Sequence, residues 1–180
     1  MKSVPRKYLI IAGSVLFVIL AVAFVLAIWA GTAELDQFNN HSIMDWSLGK
    51  KIDGIDSPEA AKAYDNAHFE WFEDSFGSGI RNVSTNAHYY LDKFPDTDIG
   101  AYCLTGFSSN DRSYSVLGIR IGSDELEART ILLDNGYRMQ GGAVNSCTAV
   151  KGDVTVILSF DHGSVAGIGA YLTPTQIFAR

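Results

Sequence analysis

The 180-residue chain predicts an α+β domain: an antiparallel sheet of about five strands with two helices packed on one face, preceded by one N-terminal transmembrane helix. Three observations predict it. A run of 23 residues without a charge, Tyr8 to Ala30, stands near the start. Two helix-spaced stretches with capping residues follow, one after Ser57 and one after Asp124. Between and after them lie short alternating runs bounded by Gly, Pro, Asn and Asp, the pattern of half-buried strands joined as hairpins. Such a sheet must bury its apolar face, so the helices are expected to cover it.

The first element is the apolar run YLIIAGSVLFVILAVAFVLAIWA. At 1.5 Å per residue it spans about 34 Å as a helix, enough for a hydrocarbon core of about 30 Å. Lys2, Arg6 and Lys7 precede it, and Glu34 and Asp36 follow it. Positive charge stays inside, which places residues 1–7 in the cytoplasm and everything after the span outside. The rival reading is a cleaved signal peptide, whose apolar region is typically about 7–15 residues. Gly31-Thr32-Ala33 is a mediocre cleavage site. The chain therefore divides into a cytoplasmic start (1–7), an anchor in the cell membrane (8–30), a linker (31–50) and an extracytoplasmic domain (51–180).

Within that domain Ser57-Pro58-Glu59 starts a helix, with Ser as N-cap and Pro at the first helical position. Ala60, Tyr64, Ala67, Trp71 and Phe72 then keep helical spacing, which predicts a helix over Pro58–Ser75 stopped by Gly77 and Gly79. From Val83 to Asp92 the residues alternate as in a strand, and Phe94-Pro95-Asp96-Thr97-Asp98 turns the chain. Ala101–Phe107 returns as its hairpin partner. In GIRIGSDELEARTILLDNGYR, Asp124 and Glu127 have capping-box spacing, Leu126, Thr130 and Leu133 mark a buried stripe, and Asn135-Gly136 ends the helix. Three strands close the chain: Ser146–Val150, Val154–Phe160 and Val165–Leu172, turning at Lys151-Gly152-Asp153 and Asp161-His162-Gly163-Ser164. An offset of 67 lays Ile52 on Ile119, Ala61 on Ala128 and Lys62 on Arg129, each near a helix start, as an internal repeat would.

Charge narrows the function. Removing Lys2, Arg6 and Lys7 from the 14 Lys and Arg leaves 11 against 20 Asp and Glu outside, a net charge of −9. Such a domain repels nucleic acid, which is discarded as a partner. The two cysteines, Cys103 and Cys147, permit a disulfide closing 45 residues, worth about 4 kcal/mol on a chain-entropy argument. The alternative is two buried thiols.

Candidate chemistry is thin. In His68-Phe69-Glu70-Trp71-Phe72-Glu73-Asp74 a helical zinc site would want a second His at position 72, which is Phe. Asp96 and Asp98 suggest a Ca²⁺ loop, but Gly100 stands where a third oxygen ligand should be, and Phe107 where the loop's closing Glu should be. Asp161 and His162 are adjacent at a turn, where side chains are expected to point apart. No G-x-S-x-G elbow exists, Gly141-Gly142 lacks the Lys-Ser/Thr of a phosphate loop, and Cys147 as nucleophile has no supporting signature. Asn82-Val83-Ser84 is a glycosylation sequon. No catalytic, metal or cofactor residues are assigned.

With these elements placed, GIRIGSDELEARTILLDNGYR followed by VKGDVTVILSFDHGSVAGIGAYLT, about Gly118–Thr173, resembles the small α+β extracytoplasmic modules of the SmpA/OmlA outer-membrane lipoprotein and β-lactamase-inhibitor-protein type. YYLDKFPDTD and LTGFSSNDRSYSVLGIRIG are similar to membrane-anchored proteins of Gram-positive bacteria. The chain departs from the first pattern in lacking a lipobox Cys. The resemblance implies a non-catalytic binding or assembly role and carries over no functional residue. The sequence thus points to a membrane-tethered domain that contacts a protein or cell-envelope component. Its rivals are a cell-envelope hydrolase using Cys147 or carboxylates, for which Glu70, Glu73 or Asp74 would converge, and an inhibitor or immunity-type protein of a secreted enzyme. A flat aromatic patch around Tyr89, Tyr90 or Tyr102 would favour binding.

Overall fold

A computed structural model of the chain describes residues 17, 19–22, 33–55, 57–64, 68–93, 102–141 and 143–172. The chain divides into two units, Met1–Glu34 and Leu35–Arg180. In the first, Phe17 and residues 19–22 are helical, and the rest of the apolar run 8–30 lies outside the described residues. The second is predominantly β.

Residues 33–40 are helical (α1), followed by α2 (Pro58–Ala63) and four strands, β1 (Phe69–Glu73), β2 (Ser78–Asn82), β3 (His88–Lys93) and β4 (Tyr102–Ser109). A two-residue hairpin, β5 (Ser115–Val116) with β6 (Ile119–Arg120), leads into α3 (Glu125–Asp134). Four more strands complete the chain: β7 (Arg138–Gln140), β8 (Ser146–Lys151), β9 (Val154–Asp161) and β10 (Ser164–Leu172). Eight of these strands form one sheet in the order β1-β2-β3-β4-β10-β9-β8-β7, every pair antiparallel. Each half is a helix followed by a four-stranded meander, and the two meanders meet at β4 and β10. The helices begin 67 residues apart, at N-caps Ser57 and Asp124, and Ala61 and Ala128 are both fully buried. The offset suggested by the sequence thus coincides with a structural repeat.

The register puts one apolar row across the whole sheet: Met139, Ala149, Val156, Ala170, Phe107, Tyr89, Ile80 and Trp71 are successive partners. Ala61, Ala128 and Leu132 from the helices join the same core cluster, as do Leu35, Phe38 and Leu48. Residues 35–50, expected as linker, therefore supply core. Asn39 pins that segment by accepting from the Leu48 N–H (2.9 Å) and donating to its carbonyl (3.0 Å).

The fold class read from the sequence is corrected on two counts. The main sheet has eight strands, not five. The helix expected over Pro58–Ser75 ends at Ala63, and residues 69–73 are strand β1. Aromatic residues fit a pleated sheet better than a helix, and a partner strand settles the choice. Trp71 pairs with Ile80 toward the core, whereas Phe72 packs on the opposite face against His88 and Tyr90, with ring centroids 4.8 and 5.3 Å away. Gly77 then belongs to the β1–β2 turn, where Asp74 accepts from the Phe76 and Gly77 amides. No helix among the described residues is long and apolar enough to cross a membrane, and most of the run expected as the anchor lies outside them.

Helix α3 follows its sequence closely at both ends. Asp124 accepts from the amides of Leu126 and Glu127 (2.9 and 3.0 Å). At the other end the Tyr137 amide reaches the Leu132 carbonyl (3.0 Å) and the Gly136 amide the Leu133 carbonyl (2.9 Å), with Gly136 at φ +80°. That is a Schellman stop, which requires a left-handed residue. The stripe is different from the expected one: Ala128 and Leu132 are buried, while Leu126 and Leu133 are 74% and 56% exposed.

Candidate functional site

Because strands alternate, each core residue has an outward neighbour, and the outer face of the sheet carries its own rows. One runs Glu70, Arg81, His88, Ser108, Gly169, Ile157; the next runs Phe72, Gly79, Tyr90, Gly106, Tyr171. Two glycines in the central strands shape this surface. A Cβ on Gly106 would lie 2.6 Å from Tyr171 Cδ1, and one on Gly169 would lie 3.0 Å from Tyr171 Cε2. The Tyr171 ring therefore lies down on the sheet, one edge over each glycine. It continues an aromatic group: Tyr90 is 5.7 Å from Tyr171 and 5.3 Å from Phe72, centroid to centroid.

Beside Tyr171 is a shallow, open groove of about 310 Å³. Gly167 and Gly169 of β10 form its floor, with Ile157 and Ser159 of β9 on one side and His88 and Ser108 of β3 and β4 on the other; the flat Tyr171 ring lies at one end and Asn86 and Asn110 at the other. β10 is irregular between Val165 and Gly167, and a Cβ on Gly167 would come within 2.6 Å of Ser159 Oγ, so the floor depends on the missing side chain. Burial, then the nearby Arg81 guanidinium, holds His88 below its ordinary pKa, which keeps the imidazole neutral near pH 7. Burial and then the Tyr171 hydroxyl push Tyr90 up to about 12. The Tyr90 hydroxyl donates to Asp74 (3.1 Å).

A second polar cluster lies on the core side. The hydroxyls of Tyr89 and Tyr114 both donate to Asp45 Oδ2 (2.6 and 3.0 Å), and Thr85 meets the Tyr114 hydroxyl at 2.9 Å. Tyr89 is fully buried, and burial together with the Asp45 bond raises its pKa far above 10.0. This cluster fastens the segment around Asp45 to the sheet; with its central hydroxyl inaccessible, it is a structural device.

The residues singled out in the sequence fall as follows. Cys103 and Cys147 are both free and buried, and the disulfide does not form. They lie on β4 and β8, three strand spacings or about 14 Å apart across the sheet. Register adds to this: Cys147 aligns through Leu158 and Ile168 with Ser109, and Cys103 lies six residues further along β4, about 20 Å. A disulfide tolerates a Cα separation of about 7 Å at most. Burial pushes both thiols up, and the Cys147 thiol donates to Met139 Sδ (3.7 Å), so Cys147 is packing, not a nucleophile.

The acidic residues of β1 and the turn after it do not converge. Glu70 pairs with Arg81, Asp74 caps the hairpin turn, and Glu73 is exposed. The aromatic patch around Tyr89, Tyr90 and Tyr102 is divided: Tyr89 is in the core, Tyr102 packs against the core, and Tyr90 joins Phe72 and Tyr171 outside. Asp161 and His162 do meet (2.8 Å), contrary to expectation, but on a turn where both are exposed. Asn82 of the sequon is engaged, accepting from the Ser84 and Thr85 amides (3.0 and 3.3 Å). Asp96, Asp98 and Gly100 lie outside the described residues. Among the described residues no group of three or more His, Cys, Asp and Glu could hold a metal ion.

Gly106, Ser108 and Tyr171 went unremarked in the sequence. A signal was present: Gly167, Gly169 and Tyr171 are spaced two apart in a predicted strand, which gives one bare face ending in an aromatic ring. Comparison with protein-family models, with curated proteins and with solved structures yields no match.

Proposed function

We propose that the chain is a non-enzymatic binding or assembly domain on the outer side of a membrane, tethered by the apolar run 8–30. Its open sheet face is the surface that contacts a protein or cell-envelope component. One observation carries this reading: the outer face holds a groove floored by glycine backbone and walled by hydroxyl, amide and imidazole groups. Shape and hydrogen-bonding capacity without a nucleophile–base pair suit recognition better than turnover. The positive residues before the run and the acidic ones after it support the orientation.

The test is a cross-linking pulldown of the tagged full chain from membranes, repeated with Ser159→Trp, which fills the groove from an exposed position. The expected result is a partner or envelope component recovered by the wild type and lost in the variant. Recovery unaffected by Ser159→Trp, or no recovery while the purified chain hydrolyses envelope material, overturns the reading.

A further inference from the structure

We propose that the groove on the outer face binds a neutral saccharide, with Tyr171 stacking under a sugar ring and Ser108, Ser159, His88, Asn86 and Asn110 taking its hydroxyls. The inference rests on the binding reading above and names the chemistry of the ligand.

The first argument is the platform. Glycine inside a strand lowers stability by about 0.5–1 kcal/mol relative to Ala, and it persists where another group must approach closely. Neither Gly106 nor Gly169 has a positive φ, so backbone conformation does not call for them. What calls for them is the Tyr171 ring, which a Cβ at either position would lift off the sheet. Tyr171 is only half-buried, so the ring presents its other face outward. Its hydroxyl lies beside those of Ser108 and Tyr90. The ring is thus a rigid, flat surface of the kind that pairs with the C–H face of a pyranose, and it is ordered before any ligand arrives.

The second argument is charge. The eleven residues lining the groove include no Asp, Glu, Lys or Arg. A phosphate or carboxylate would find no cation in the lining, since Arg81, behind His88 and Asn86, is paired with Glu70, and a cation would find no carboxylate in it. Ser, Asn and neutral His each both donate and accept, which matches hydroxyl groups that also do both. The third is shape. The groove is open along the sheet, so a sugar unit can sit in it while the chain continues in either direction. A free oligosaccharide and an envelope polymer share this chemistry.

The experiment is titration calorimetry of the full chain in a detergent without a sugar head group. The probes are chitotetraose, cellotetraose and maltotetraose, with a sedimentation arm using insoluble peptidoglycan. At least one soluble probe should bind. Tyr171→Ala should weaken it by about tenfold, whereas Tyr171→Phe, which keeps the ring, should stay within about threefold. Ser159→Trp should abolish binding and serves if Tyr171→Ala fails to fold. Sedimentation with peptidoglycan would identify the polymer as the source; binding of soluble probes alone would point to free oligosaccharide. No binding of any probe or polymer, or equal binding by Ser159→Trp, overturns the proposal. With no probe or polymer bound, a groove-dependent protein partner in the pulldown leaves the binding reading standing without the saccharide inference, and an empty pulldown overturns both.

Discussion

On β4, Phe107 points into the core while Gly106 and Ser108 point out, and the same division runs through the sheet. Inside, the row from Met139 to Trp71 is continuous and apolar, and each residue is chosen by the volume it fills. Outside, the equivalent row alternates rings with glycines, Phe72-Gly79-Tyr90-Gly106-Tyr171, so that large side chains lie over bare backbone. The inner face holds the fold by filling space, and the outer face makes a surface by leaving it out. Stability and the proposed recognition are therefore separable on one sheet. Variants on the two faces should separate them too.

The largest expected effect is at the centre of the inner row. Phe107 is fully buried, with the rings of Tyr89 and Tyr114 each 5.4 Å away. Phe107→Ala should destabilise the domain by about 3–5 kcal/mol. Urea denaturation of the full chain, followed by tryptophan fluorescence, measures it; a loss below 1 kcal/mol would mean the two faces do not differ as described.

A smaller loss is expected beneath the core. Asp45→Ala leaves the hydroxyls of Tyr89 and Tyr114 without their shared acceptor and should cost about 1–3 kcal/mol. Tyrosine titration gives a check on the outer face. A tyrosine with a folded pKa raised from 10.0 to about 12, as for Tyr90, is protonated in both states below pH 10. Above it the unfolded chain ionises first, so the contribution is complete below pH 10 and lost between 10 and 12. Tyr90→Phe should flatten that part of the stability curve, and an unchanged slope would contradict the environment described for Tyr90.

The smallest effect tests the helix stripe. Leu126→Ser should change stability by no more than about 0.5 kcal/mol, because Leu126 is exposed. A loss near 2 kcal/mol would restore the stripe read from the sequence.

How much was legible follows from the range of the interactions. Asp124, Asn135 and Gly136 act on neighbours within a turn, so both ends of α3 were readable. The last two strands were readable for the same reason: Val154, Val156, Leu158 and Phe160 alternate cleanly, and His162 and Gly163 both take positive φ in a two-residue turn. The stripe of α3 was not, because Leu126 and Ala128 both fit a helix and the sheet beneath selects the small residue that lets it approach. β1 failed similarly, since Phe69-Glu70-Trp71-Phe72-Glu73 fits either period. Of the candidate site, the glycine-tyrosine spacing in β10 was visible, but Gly106 and Ser108 come from a strand some 60 residues away.

By itself, then, the sequence determined what is encoded locally: caps, tight turns, alternation, and the excess of acid over base after the apolar run. Tertiary structure decided the eight-stranded order, the separation of Cys103 from Cys147, and the meeting of Tyr171 with Gly106. These are long-range pairings, selected by which packed arrangement buries the apolar face, and no window of sequence contains both partners.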